Sequence, residues 1–213
     1  MKVRDVMNWN VVTIPSDTPI MEAKKIMQTH KILRIPVVDK GKLVGIVTKD
    51  RIDRQGPSPA TSLSVWELNY LLAKMTVRDV MQKELVTVTP DSTAESAVAL
   101  AQNKGVGALP VMEGGKLVGI VTTNDFFYKI LNPLLGIGKP GVRLVISKGA
   151  EPKGLLDVAD CIVKSGAKIN VIHNMPPFEG RENDLLVQLE AKDINQLVKD
   201  LKAKGYPSEL VER

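Results

Sequence analysis

Two threonines close two matching segments of the chain, and the residues after them differ in chemistry. The first segment reads Gly45-Ile46-Val47-Thr48-Lys49-Asp50-Arg51, and the second reads Gly119-Ile120-Val121-Thr122-Thr123-Asn124-Asp125. A threonine hydroxyl at the start of a helix lies where an anionic group such as phosphate is favoured, because the first N–H groups and the helix dipole converge there. Asp125, three residues on, offers two acceptor oxygens. The same Thr-x-x-acid spacing is also a helix-capping arrangement, so these residues alone leave a cap and a ligand site both open. In the first segment the aligned position is Arg51. Asp50 is displaced by one residue, a rotation of roughly 100° about a helix. The first segment is preceded by His30, Lys31 and Arg34, where the second has Lys104, Gly105 and Ala108. These cations either face an anionic group or are simply solvated. Gly105 and Gly107 permit close approach of backbone to a ligand, but a helix C-cap explains Gly105 equally well.

The elements that must position these residues occur twice. Residues 3–52 and 77–126 align at a constant offset of 74 without a gap. Val3–Met7 (VRDVM) recurs as Val77–Met81, and Lys42–Thr48 (KLVGIVT) recurs as Lys116–Thr122. Each copy opens with a helical turn and continues into an extended stretch, Val11–Ile14 or Leu85–Val88. A helix follows, with Ile20, Ala23, Ile26 and Met27, or Ala94, Ala97, Leu100 and Ala101, at helical spacing. Two short apolar strands come next, joined by tight turns at Asp39-Lys40-Gly41 and Glu113-Gly114-Gly115. A second helix begins after the threonine. The predicted order is strand, helix, strand, strand, helix. A duplicated unit of this size buries its apolar face against its twin and makes two equivalent clefts, which suits binding better than one-off catalysis.

This order, the IPVV and LPVM strands, the KLVGIVT strand and the Thr-x-x-Asp at its end resemble cystathionine-β-synthase (CBS) domains, over residues 1 to about 130. The resemblance implies a regulatory module with no catalytic residues of its own, binding an adenosyl ligand (AMP, ADP, ATP or S-adenosylmethionine) between the repeats. It implies that Asp125 accepts hydrogen bonds from the ribose hydroxyls, since a carboxylate matches a vicinal diol. Thr122 would then face phosphate, and Val86, Thr87, Leu109, Pro110 and Val111 would form the adenine side of the site. The corresponding positions in the first copy are Val12, Ile35, Pro36, Thr48, Asp50 and Arg51, with Lys31 and Arg34 as candidate phosphate cations. The effector would be an adenine nucleotide or S-adenosylmethionine, with no tightly bound cofactor.

The remaining sequence divides into a linker (54–76), a second repeat ending near 131, a hinge (132–141) and a C-terminal domain (142–213). Ser64 and Glu67 form a capping box that starts a linker helix with Val65, Leu68, Leu71, Leu72 and Met75 on one stripe. Trp66 on its flank is either a packing residue or a dimer contact. Asn132–Gly141 holds two prolines and three glycines and reads as the hinge. Beyond it, alternation and helical spacing give βαββαβ, the order of a ferredoxin-like sandwich. Glu151-Pro152-Lys153-Gly154-Leu155-Leu156 and Gly166–Val171 resemble the amino-acid-sensing ACT domain. That resemblance makes Glu151, Lys153, Gly154 and Leu155 a candidate ligand turn, with Glu151 standing where such domains commonly carry Asp or Asn. Paired CBS repeats followed by an ACT-like domain resemble the acetoin-utilisation AcuB family. The expected fold class is thus α+β, a tandem CBS pair followed by an ACT-like sandwich.

Composition excludes several other classes. The chain has 213 residues and a net charge of +5 with both signs interspersed, which predicts a solvated surface rather than a nucleic-acid footprint. It holds no apolar run of membrane-spanning length, and the start MKVRDVMN predicts no signal peptide. The one cysteine, Cys161, predicts a buried thiol in a reducing cytoplasm. His173 on an apolar strand face has no second ligand at metal spacing, so no metal site is predicted. The sequence offers no nucleophile–base–acid set, no P-loop and no G-x-G-x-x-G, so an enzyme is not expected. The expectation is a cytoplasmic sensor, homodimeric, passing its signal to the C-terminal domain or to a partner protein. The alternative is a structural dimeriser with degenerate sites.

Overall fold

A computed structural model describes residues 1–55, 64–175, 183–191 and 193–211. The chain forms two compact units, Met1–Lys129 and Ile130–Arg213. The first unit holds both repeats. In repeat one, α1 (Val3–Val6), α2 (Ile20–His30), β1 (Arg34–Asp39), β2 (Lys42–Thr48) and α3 (Lys49–Asp53) follow in order. The linker helix α4 (Val65–Lys74) leads to repeat two. That copy comprises α5 (Val77–Val80), α6 (Ala94–Lys104), β3 (Ala108–Glu113), β4 (Lys116–Thr122) and α7 (Thr123–Phe126). The loop at Gly56–Pro59 and the side chains of Val65, Trp66, Leu68 and Leu71 lie outside the described residues. The capping box that begins α4 is present, with the Ser64 N–H donating to Glu67 Oε2 at 2.9 Å and the Glu67 N–H donating to Ser64 Oγ at 3.3 Å.

Each repeat contributes one antiparallel hairpin, β1–β2 or β3–β4. Both hairpins turn on two residues with positive φ, Lys40 and Gly41 or Gly114 and Gly115, as a type I′ connection requires. The predicted first strand of each repeat does not form. It shrinks to a single parallel bridge, Ile14 to Val37 or Val88 to Val111. The Ile14 N–H donates to Pro36 O at 3.3 Å and the Val38 N–H donates to Ile14 O at 2.9 Å. Extending the ladder toward Val12 would need an N–H from residue 36, which is proline and has none. Pro110 stops the second copy in the same way.

The repeats exchange their opening segments. The Val3 N–H donates to Ser92 O, the Arg4 N–H to Pro90 O, and Asn8 bridges Ile120. Reciprocally, the Val77 N–H donates to Thr18 O and Gln82 bridges Ile46. The core beneath β1 and β2, with Ile20, Met27, Ile35 and Val47, therefore contains Val77 and Val80 from the second copy. Gly45 and Gly119 make room for the crossing. A Cβ added at Gly119 would sit 2.7 Å from Met7 Sδ and 3.2 Å from the Asn8 carbonyl oxygen. Gly119→Ala is accordingly expected to destabilise the first unit by about 1–3 kcal/mol, the usual range for overpacking. Urea unfolding measures this, and an unchanged midpoint would mean that the crossing segment yields freely.

The second unit has the βαββαβ order. Its elements are β5 (Val142–Ile146), α9 (Pro152–Ser165), β6 (Lys168–Asn174), β7 (Leu185–Glu190), α10 (Asn195–Ala203) and β8 (Ser208–Val211); the short turn α8 (Asn132–Leu134) precedes them. The sheet is antiparallel throughout, in the order β6-β7-β5-β8. Leu144, Ile146, Val187 and Leu189 meet Val158, Ile162, Leu197 and Leu201 of the helices in one core. Cys161 is buried in that core, which pushes its thiol pKa up.

The segment 132–141, expected to be a hinge, is instead packed within this unit. Gln188, fully buried on β7, donates through Nε2 to the carbonyls of Lys139 (2.9 Å) and Pro140 (3.2 Å). Arg143 Nη2 donates to Leu135 O and to Gln188 Oε1 (3.2 Å for the latter). Proline and glycine set the course of this chain segment, and a buried amide fixes it in place.

Two candidate composite clefts between the repeats

Both threonines cap helices, as their spacing predicts. The Thr122 N–H and hydroxyl donate to Asp125 Oδ2 at 2.9 and 2.7 Å, and the Asp125 N–H donates back to Thr122 Oγ1 at 3.4 Å. Asp125 Oδ1 pairs with Lys129 Nζ at 2.9 Å, and the same ammonium donates to the Val6 carbonyl at 2.7 Å. The carboxylate side chain is only 17% exposed. Oδ2 already accepts two hydrogen bonds and Oδ1 one, so a single acceptor position remains on Oδ1 unless Lys129 moves. In repeat one the Arg51 N–H donates to Thr48 Oγ1 at 3.2 Å, and the guanidinium turns away to the Val80 carbonyl at 3.4 Å. Asp50 points outward and pairs with Arg54 at 3.0 Å, 68% exposed.

Each threonine opens on a cleft completed by the other repeat. The Thr48 cleft, about 790 Å3, is lined by Thr48, Asp50 and Arg51 of repeat one together with Val86, Gly107 and Pro110 of repeat two. The Thr122 cleft, about 530 Å3, joins Thr122 and Asp125 to Val12, Lys31, Arg34 and Pro36 of repeat one. Both volumes fall in the range of small-molecule sites, about 300–1,000 Å3. The grouping expected from sequence, in which Asp125 shares a site with Val86 and Pro110, is therefore corrected: those two residues line the opposite cleft. Three further assignments are corrected by strand alternation. Ile35, Leu109 and Val111 are fully buried beneath the hairpins, whereas their neighbours Pro36 and Pro110 face a cleft. Thr87 is exposed and lines neither cleft.

The charges of the two clefts differ. In the Thr48 cleft, Asp53 accepts from Lys24 (2.7 Å) and Lys49, and these hydrogen bonds hold its carboxyl below the usual range. Asp79, on the same wall, is lowered by its hydrogen bonds from Thr76. The lining thus carries four acids (Asp50, Asp53, Asp79 and Glu84) and four bases (Arg34, Lys49, Arg51 and Arg54), with Lys49 and Arg54 already in ion pairs. The Thr122 cleft is lined by His30, Lys31 and Arg34 from one repeat and by a single carboxylate, Asp125, from the other. Lys31 is the left-handed C-cap of α2 (φ 53°), where the equivalent residue of α6 is Gly105 (φ 61°).

The sequence model of the CBS domain matches residues 3–55 and 77–132, just over half of the chain. The chain belongs to the CBS-domain family. Inosine-5′-monophosphate dehydrogenase of Korarchaeum cryptofilum is 31% identical over 144 residues, covering 67% of this chain and 27% of that enzyme. The chain spans less than half the length of the first curated relatives that it matches. Among solved structures, the AcuB acetoin-utilisation protein of Vibrio cholerae is 26% identical with a TM-score of 0.53, covering 66% of this chain and 98% of that one. The protein CBSX2, crystallised with AMP, is 25% identical with a TM-score of 0.50, covering 62% and 96%. The family model itself ends at residue 132, near the start of the second unit.

In the second unit, Glu151 is the N-cap residue of α9 and, with Lys153, is exposed. Leu155 is 44% exposed. Gly154 is buried, and a Cβ there would overlap the Lys148 carbonyl and lie 3.2 Å from the Tyr206 ring, so close packing alone demands glycine at this position. His173 is half-buried, and burial, reinforced by Arg143, pushes its pKa down. Among the described residues, no group of three His, Cys, Asp or Glu gathers as a metal site. No helix among them is long and apolar enough to cross a membrane.

Proposed function

We infer that the CBS pair is a non-catalytic sensor of a phosphate-bearing adenosyl ligand, and that the Thr122 cleft is its principal site. The observation that carries this reading is the composite Thr122 cleft itself: a carboxylate and a helix N-terminus from one repeat face two cations and a proline from the other. The carboxylate suits a ribose hydroxyl, the cations suit phosphate, and Val12 and Pro36 offer apolar surface for a base. Lys31 supports the assignment. A non-glycine residue in the left-handed region costs about 1 kcal/mol, and here that cost keeps an ammonium at the cleft where the twin repeat has glycine. The AMP complex of CBSX2 is consistent with this choice of ligand.

A second reading, a structural module with decayed sites, draws on Arg51 and on the pairing of Asp125 with Lys129. Thermal melting separates the two. A ligand bound only by the docked repeats stabilises them by about 2.7 kcal/mol at a hundredfold excess over Kd. Melting of the full chain is expected to rise with AMP or ATP; no shift with AMP, ATP or S-adenosylmethionine would favour the structural reading. The C-terminal unit fits an ACT-like, ferredoxin-like module in its element order. Its Glu151–Leu155 turn is the candidate amino-acid site, and its edge strands suit sheet extension in a homodimer.

A further inference from the structure

Arg34 stands in an unusual position. It begins β1, and the residue is part of the lining of both clefts. The guanidinium lies against Gly107 of the other repeat, so close that an added Cβ there would overlap it, with Cζ at 3.0 Å. Among the described residues this guanidinium makes no hydrogen bond and no ion pair. Its neighbours in the Thr48 cleft are committed elsewhere: Lys49 to Asp53, Arg54 to Asp50, and Arg51 to the Val80 carbonyl. The symmetry-equivalent position in repeat two is Ala108, so the pair of clefts has one such arginine rather than two.

We propose that Arg34 is a single phosphate-binding group shared by the two clefts, so that a phosphorylated ligand in one cleft denies it to the other. The proposal rests on the reading of the clefts as adenosyl sites. A guanidinium donates in a fixed fork and holds one phosphate at a time in a bidentate grip. Whichever cleft fills first takes Arg34, and the second phosphate must bind without it. The Thr122 cleft fills first, because it alone holds the ribose acceptor and Lys31. The coupling is reciprocal, as linkage requires, and it is specific to phosphate: an unphosphorylated nucleoside never engages the guanidinium and meets no such penalty. Gly107 matters because a side chain there would close the lane through which the guanidinium reaches the Thr48 cleft.

The test uses the full chain with an Arg51→Asp background, in which both clefts carry Thr-x-x-acid and two binding steps become measurable by calorimetry. Titration with AMP is expected to give two steps separated by about tenfold or more, the worth of one charge-assisted hydrogen bond. Titration with adenosine is expected to give steps separated by little more than the statistical factor. Adding Arg34→Met, neutral and of similar length, should weaken the first AMP step about tenfold, leave the second unchanged and leave adenosine unaffected. AMP steps that coincide while Arg34 is present, or whose separation is not reduced by Arg34→Met, would overturn the proposal. Equal weakening of both steps would overturn it too, since Arg34 would then serve each cleft independently. Absence of binding by both AMP and adenosine would instead defeat the adenosyl reading itself, so the two failures are distinct.

Discussion

Asp125→Ala is expected to weaken AMP binding at the Thr122 cleft by roughly ten- to hundredfold. The variant removes a charged acceptor worth about 1.5–3 kcal/mol to a hydrogen-bonded hydroxyl. Of the four acceptor positions on the carboxylate, two are used by Thr122 and one by Lys129, which leaves one for a ribose hydroxyl. A second hydroxyl can bind only by displacing the Lys129 ammonium, which also holds the Val6 carbonyl of the exchanged segment. The alanine variant confounds two losses, because Asp125 also caps α7, and loss of such a cap costs about 0.5–2 kcal/mol of stability. Asp125→Asn separates them. Its amide oxygen still accepts from Thr122, while its amide nitrogen presents donors toward Lys129 and the ligand. Isothermal titration of the asparagine variant should show the loss of AMP binding with little change in melting. Full affinity in a folded asparagine variant would reduce Asp125 to a helix cap.

Gln188→Ala should release the segment 135–141 from the sheet of the C-terminal unit. The substitution deletes two hydrogen bonds to the Lys139 and Pro140 carbonyls and one from Arg143. It also leaves a cavity where Gln188 is fully buried, and Arg143 Nε in that region is already buried without a partner among the described residues. Each unsatisfied buried polar group costs about 1–3 kcal/mol, so a total loss of roughly 2–5 kcal/mol is expected for this unit. Denaturant unfolding measures the size of the effect, and limited proteolysis locates it. New cleavage within 135–141 is the expected signature. Equal resistance to protease, with an unchanged midpoint, would show that proline and glycine alone hold the segment.

The sequence by itself determined the duplication, and with it the hairpins, the helices and the two capping threonines. These are local properties: hydrophobic period, turn chemistry and cap spacing act over a few residues and are written in Lys40-Gly41, Gly114-Gly115, Thr48 and Thr122. It also determined the chemical asymmetry of the sites, since Arg51 stands where the twin carries Asp125. Composition marked segment 132–141 as a break in the pattern and suggested a hinge, but did not place it against the sheet, because the restraining group is Gln188, some fifty residues away in sequence.

Tertiary structure alone decided which residues share a cleft. The VRDVM segments are identical, so either would suit either repeat, and nothing local records that each docks on the other copy. Gly45 and Gly119 carried the only hint, as small residues in strands where the crossing chain passes. Strand alternation, a local property, separates Pro36 and Pro110 from Ile35, Leu109 and Val111. Which face of each hairpin meets the core, however, depends on packing against the helices. That Asp125 of one repeat shares a cleft with Lys31 and Arg34 of the other follows from the docking of the two copies, a long-range fact that no short window of sequence contains.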